Sequence, residues 1–210
     1  CHIGTFTVPA LIDGFEVIAI DGALKNIECL KETSKQFPEE KIHIFNEIIS
    51  DSISPCSFSS DYGPFGWRVN DTNGNRESNT IDNICNTYKY KVSAIKYDLE
   101  GGEEEALKGS KITIEEQRPT LLVEINPFLL KDRNSSIRII MDIIENYNYE
   151  CYISVARGNY SPEIIYKVDR QLPPWGDVDV LCVHKEKAKE NDVLKKCENY
   201  KPTRGISIKF

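Results

Sequence analysis

The 210-residue chain has no apolar run near the ~20 residues of a membrane-spanning helix, no C-x-x-C pair and no excess of positive charge. It contains one methionine, Met141, and opens on Cys1. The first absence leaves no membrane segment to propose. The third argues against a nucleic-acid partner: 26 Lys and Arg face 33 Asp and Glu, a net charge of −7, and phosphate backbones demand the opposite sign. The seven cysteines (Cys1, Cys29, Cys56, Cys85, Cys151, Cys182 and Cys197) are odd in number and lack metal-ligand spacing. They read as reduced thiols of a cytosolic-type setting, although sequons at Asn70, Asn134 and Asn159 leave a secretory location open. The opening on Cys1 reads as an amino-terminal truncation, so no targeting segment can be judged. Compartment and oligomeric state are not encoded legibly.

What is present is ordinary material for a core, with 40% hydrophobic, 28% charged and 10% aromatic residues. The length suits a single domain over residues 1–210. Phe15 to Ile20 reads as a strand and Ala23 to Gln36 as a helix with Leu24, Ile27 and Leu30 on one face. Lys41 to Ile49 is again strand-like. Residues 50–79 are rich in Ser, Asn, Gly and Pro and carry Phe58, Tyr62, Phe65 and Trp67, which predicts a hairpin or lid inserted in the domain. Val92 to Tyr97, Pro119 to Ile125, Tyr149 to Val155 and Val178 to Val183 read as strands, with Ile164 to Val168 weaker. Glu103 to Glu115 and Ser136 to Asn146 read as helices, and the tail beyond Lys185 as mixed-charge with a terminal helix. This alternation predicts an α/β fold with a mostly parallel sheet and an antiparallel hairpin at one edge.

Two constellations could carry chemistry. In the first, Gly4 precedes an apolar helical run, Val8 to Ile12, and Asp21 ends the next strand 17 residues later. A glycine turn lets backbone approach a ligand, and an acid about 20 residues on is placed to accept ribose hydroxyls. The plainer reading is that Asp21 caps the following helix, and the two stand level. In the second, Lys96, Asp98 and Glu100 alternate along a strand, so all three leave one face before Gly101-Gly102 turns the chain into a helix. Glu103, Glu104 and Glu105 in its first turn suit the helix dipole. Asp98 and Glu100 are less readily explained, because an acid at a strand's buried end needs a partner or a use. Lys96 could be that partner.

The run Lys96-Tyr97-Asp98-Leu99-Glu100-Gly101-Gly102-Glu103, followed by Ala106-Leu107-Lys108-Gly109, resembles the K-x-D-x-E-G-x-E and L-x-G hallmark of the FkbM-type methyltransferases. Arg118-Pro119 and the strand through Glu124-Ile125 resemble that family's next element, and Thr80 to Ile84 its T-L-D-x-L segment. Ile3 to Thr7 is similar to the end of its glycine loop, and Ile18 to Asp21 to its A-F-E strand end. The resemblance implies a Rossmann-like class I methyltransferase sheet, here without its first strand. It also implies S-adenosylmethionine as cofactor, and methyl transfer to an oxygen of a small molecule or glycan. His2, Gly4, Asp21 and Asp98 would then bind cofactor. Asp98, Glu100 and Lys96 would be the catalytic group, with Asp98 the first choice of base and Glu100 the second, and Glu103 would complete a polar floor. No metal is implied.

Three departures from the pattern, Cys1-His2 for Ala-Asn, Gly22 at the head of a usual Pro-Asn pair and the missing first strand, favour a rival reading as a non-catalytic binding or scaffold module, while Asp21 for Glu is chemically equivalent. A nicotinamide oxidoreductase is a second rival, opposed by the hallmark run and in need of a full G-x-G-x-x-G upstream. A metal-dependent hydrolase using Asp98, Glu100 and Glu103 is a third. Asp177-x-Asp179 reads as turn chemistry before a strand, and His43 and His184 as ordinary histidines.

Overall fold

The computed structural model describes residues 1–60, 67–155, 164–168 and 177–197. Tyr62, Phe65 and the Asn159 sequon lie outside them. The chain divides into two compact units, Cys1–Thr80 and Ile81–Phe210.

The first unit begins with α1 (Thr7–Ile12), β1 (Val17–Ile20) and α2 (Leu24–Ser34). Gly14 ends α1 in a left-handed conformation, φ +87°, with its N–H on the Leu11 carbonyl and the Phe15 N–H on that of Ala10. This is the paired bonding that lets a glycine close a helix. In α2, Ile27 and Leu30 are buried but Leu24 is 57% exposed. Steps of three residues lag about 60° per step around a helix of 3.6 residues per turn, so Leu24 drifts off the face that the other two share. A 3-10 turn at Glu39–Lys41 leads into β2 (Ile42–Phe45), which pairs in parallel with β1 from Val17↔Ile42 to Ile20↔Phe45. The strand-like run continuing to Ile49 is interrupted, and β3 is only Ile48–Ile49. Among the described residues of 50–79, β4 (Pro55–Ser60) pairs antiparallel with β5 (Trp67–Asn79), and β3 pairs parallel with β5 on its other edge.

In the second unit come α3 (Ile81–Tyr88), β6 (Ala94–Tyr97), α4 (Glu103–Lys108), α5 (Lys111–Gln117), β7 (Thr120–Ile125), α6 (Pro127–Asp132) and α7 (Ile137–Asn146). They are followed by β8 (Tyr149–Val155), β9 (Ile164–Val168), β10 (Val178–His184) and α8 (Lys185–Glu190). The sheet order is β6-β7-β10-β8-β9. Only β6 and β7 pair in parallel, while β10 runs antiparallel to both β7 and β8, and β9 is antiparallel to β8 at the edge. The antiparallel pairing therefore reaches further in than an edge hairpin, because β10 inserts between β7 and β8. In β7 the residues Leu121, Val123 and Ile125 are 0% exposed, and together with Leu107, Ile114, Ile140, Ile144 and Val180 they build the core. Each such side chain contributes roughly 1.5–3 kcal/mol by leaving water.

The helix expected over Glu103 to Glu115 is broken at Gly109-Ser110. Asp82 of α3 causes the break: its backbone N–H bonds the Gly109 carbonyl, and its carboxylate accepts the N–H groups of Ile112 (2.9 Å) and Thr113 (2.7 Å). That carboxylate serves as the cap of a new helix, α5. No helix among the described residues is long and apolar enough to cross a membrane.

Candidate functional site

In the first unit, the end of β1 places Asp21 against the loop that precedes α1. One carboxylate oxygen accepts the His2 N–H at 2.8 Å and the other the Ala23 N–H at 2.8 Å, with the Asn26 amide 3.3 Å from each. The Ala23 bond is a cap-like contact at the start of α2, and the His2 bond ties the Gly4 loop to β1. Asn46 and Arg76 bind the carbonyls beside it: Asn46 donates to Asp21 O and Gly22 O, and Arg76 to Gly22 O. His2 is left-handed, φ 51°. Gly4 is required by φ +108° and by crowding, since a Cβ there would lie 3.0 Å from the Leu30 side chain and 3.2 Å from Val8. At that position the close approach is to α2.

The second unit carries the larger constellation. Parallel pairing sets Lys96 opposite Leu122 and Tyr97 opposite Val123, and antiparallel pairing sets Asp179 opposite Glu124. Side chains on one face of a sheet repeat every second residue. Asp98, just past β6, therefore falls in line with Glu124 and Asp179, in a row of acids across the ends of three strands. Lys96 lies one step back on the same face. Its ammonium is 2.6 Å from Asp98 Oδ2 and 3.9 Å from Asp179 Oδ1. Oxygens of Asp98, Glu100 and Glu124 lie within 4.8 Å of one another. They are close enough to share a cation, and the Lys96 ammonium stands on Asp98.

Glu100 does not reach this group from the strand. β6 stops at Tyr97, and Glu100 sits in the following turn at φ 52°, beside Gly101 at φ +97°. A Cβ on Gly101 would lie 2.7 Å from the Leu129 carbonyl oxygen, so the turn is pressed on α6 and only glycine fits. Glu103 turns inward and is not part of a polar floor. It is 2% exposed, and its Oε1 accepts the N–H groups of Leu99 (2.8 Å) and Gly101 (3.4 Å), which pins the turn that presents Glu100.

The acids are electrostatically unequal. Burial, then the hydrogen bond to Asp98 and the charges of Asp98 and Glu100, push Glu124 from 4.5 up to about 8 against the opposing pull of Lys96. Burial also raises Asp98, but its hydrogen bonds with Glu124 and Lys96 and the ammonium charge outweigh that and hold it below the ordinary 3.8. Near neutral pH the pair therefore holds one proton, on Glu124, while Asp98 stays ionised. Burial raises Glu103 as well, opposed by the N–H groups it accepts.

Of the residues singled out from the sequence, Lys96, Asp98 and Glu100 are brought together, and in the other unit the loop of His2 and Gly4 is held by Asp21 at the end of β1. Sequence reasoning missed Glu124, although it is the one charged residue in Thr120–Ile125 and lies on the face opposite three buried aliphatics. It also set aside Asp179, whose place in the row is visible only once β10 is paired with β7.

An α/β frame with polar residues converging just beyond parallel strand ends belongs to the broad class of ligand-binding α/β folds. The Methyltransferase FkbM domain family matches residues 13–151, well over half of the chain, and the chain belongs to that family. It is similar to the crystal structure of Methyltransferase FkbM from Methylobacillus flagellatus KT, with a TM-score of 0.50 and 20% identity, which at that distance is a likeness of fold. The match covers 86% of this chain and 41% of that one, so the chain spans well under half of the methyltransferase it resembles. No curated protein matches.

Proposed function

We propose that the chain is the S-adenosylmethionine-dependent methyltransferase domain of its protein, with a class I, Rossmann-like sheet, acting on a hydroxyl oxygen of a small molecule or glycan. The observation that carries this reading is the Lys96–Asp98–Glu124 group, an ionised carboxylate and a proton-holding carboxyl side by side.

The residues fit the cofactor in one testable respect. Two N–H bonds occupy one lone-pair position on each Asp21 oxygen, and the other approaches are longer, the Asn26 amide at 3.3 Å from each and the Cys1 amino group and thiol at 3.5 and 3.9 Å from Oδ2. A ribose diol could take the place of that amide on a carboxylate already oriented by backbone. When bound, S-adenosylmethionine supplies an electrophilic methyl group. Asp98 accepts the acceptor's hydroxyl hydrogen bond and orients its oxygen, with Lys96 fixing the carboxylate. Held below its ordinary value, Asp98 is a weak base by itself. Its partnership with Glu124 gives the hydroxyl proton a destination, and Glu124 becomes available for that proton as it ionises near pH 8. Glu100 is the second carboxylate within reach. The net charge of −7 supports an uncharged acceptor over a nucleic acid.

One observation favours the alternative, a non-catalytic module: the Asp21 carboxylate already has four hydrogen-bond partners from its own chain, Cys1, His2, Ala23 and Asn26. Calorimetric titration of the full-length protein with S-adenosylmethionine decides between them. Micromolar binding, weakened at least about tenfold (~1.4 kcal/mol) by Asp21→Ala, is the expected result. Absence of binding to the folded full-length protein refutes the transferase reading.

A further inference from the structure

Cys151 and Cys182 are 31 positions apart in the sequence, and nothing in their spacing links them. Folding places them directly opposite each other, on the antiparallel strands β8 and β10. Both are buried, at 5% and 0% exposure, and the Cys151 Sγ lies 3.6 Å from the Cys182 Sγ. Among the described residues this is the one contact between two cysteine sulfurs within hydrogen-bonding range.

We propose that Cys151 and Cys182 are a covalent modification site, an interstrand disulfide formed by exchange with a low-molecular-weight disulfide. Residues opposite each other in an antiparallel pair have Cα atoms about 4.5 or 5.5 Å apart. Both values fall within the roughly 4.4–6.8 Å that a disulfide spans. The sulfurs must close from 3.6 Å to about 2.05 Å to form the bond. The remaining five cysteines are left as thiols.

The chemistry balances with one equivalent of oxidant. A thiolate of one cysteine attacks the small disulfide and releases one small thiol. The other cysteine then attacks the mixed disulfide and releases the second, so two S–H bonds are lost and two are formed. Burial pushes the Cys182 thiol well up, and the Cys151 sulfur beside it adds to this. In the folded chain the pair is closed to solvent. The bond forms as β8 and β10 come together, and once enclosed it is shielded from reductants by the same burial.

The test uses the full chain, unfolded and reduced, then refolded in a glutathione buffer containing oxidised glutathione. After unfolding and alkylation, mass spectrometry is expected to show a species about 2 Da lighter before alkylation, with five of the seven cysteines alkylated. A peptide map should link Cys151 to Cys182. The folded, reduced protein given the same buffer should form the link at least about tenfold more slowly, because both thiols are buried away from the small disulfide. Seven alkylated cysteines after refolding, or a link that involves any other cysteine, overturns the proposal. Cys182→Ala should abolish the link, and should that variant fail to fold, the wild-type map still decides.

Discussion

Replacing Glu124 by glutamine removes a titrating group while keeping a neutral side chain of the same shape that can still donate to Asp98. In the folded chain Glu124 keeps its proton from pH 4.5 to about 8, whereas the unfolded chain has released it above 4.5. The folded state binds more protons throughout that interval, so stability falls as pH rises through it and levels off above about 8. At about 1.36 kcal/mol per pH unit, the shift from 4.5 to about 8 corresponds to roughly 5 kcal/mol. Glu124 is only half-buried, and water screening reduces this to about 1–2 kcal/mol. The depression of Asp98 acts below pH 3.8, where its stabilisation is lost in acid, and so falls outside the window. His184, whose ring burial pushes down, contributes equally to both proteins and cancels in their difference. Urea unfolding of wild type and Glu124→Gln at intervals from about pH 5 to 8.5 should show the variant gaining about 1–2 kcal/mol relative to wild type across the range. Parallel stability curves would refute the shared-proton pair, whatever the protein's activity.

Two glycines separate backbone strain from close approach. Gly101→Ala meets the Leu129 carbonyl at 2.7 Å as well as an unfavourable φ of +97°, and should lower stability by about 2–4 kcal/mol in thermal unfolding. Gly14→Ala, at φ +87° with nothing within 4 Å, should lose only about 1–2 kcal/mol; equal losses at the two sites would contradict the packing of the turn on α6. Asp82→Ala strips the cap from α5 and should cost about 1–2 kcal/mol by chemical denaturation, and Asp82→Asn, which keeps an acceptor, should recover part of it.

The strands were legible where they are apolar and bounded: Tyr149–Val155 and Ile164–Val168 fall on their expected limits. Helix limits were legible where the signal is local, as at Gly14. The long helix over Glu103 to Glu115 was not, because its break is made by Asp82, a residue distant in sequence. α6 had a readable start, since Asn126 accepts the N–H groups of Phe128 and Leu129 ahead of Pro127, a cap and first-turn proline that periodicity alone passes over. At the site, Lys96 and Asp98 were legible from alternation. Glu100 was placed on the wrong element because β6 stops at Tyr97 and Glu100 itself turns left-handed, and Glu124 and Asp179 depend on the register of neighbouring strands, which no single segment encodes.

The position of β10 sets a timetable for the ribosome. It is the last of the described strands to be made, yet it lies inside the sheet between β7 and β8. Until residues 178–184 emerge, β7 has an open hydrogen-bonding edge and the acid row lacks Asp179. At about 5–20 residues per second that edge is exposed for seconds on a nascent chain. An unpaired strand edge is a template for pairing with other chains. A premature stop between β9 and β10 would therefore release this unit with the β7 edge unpaired and open to other chains.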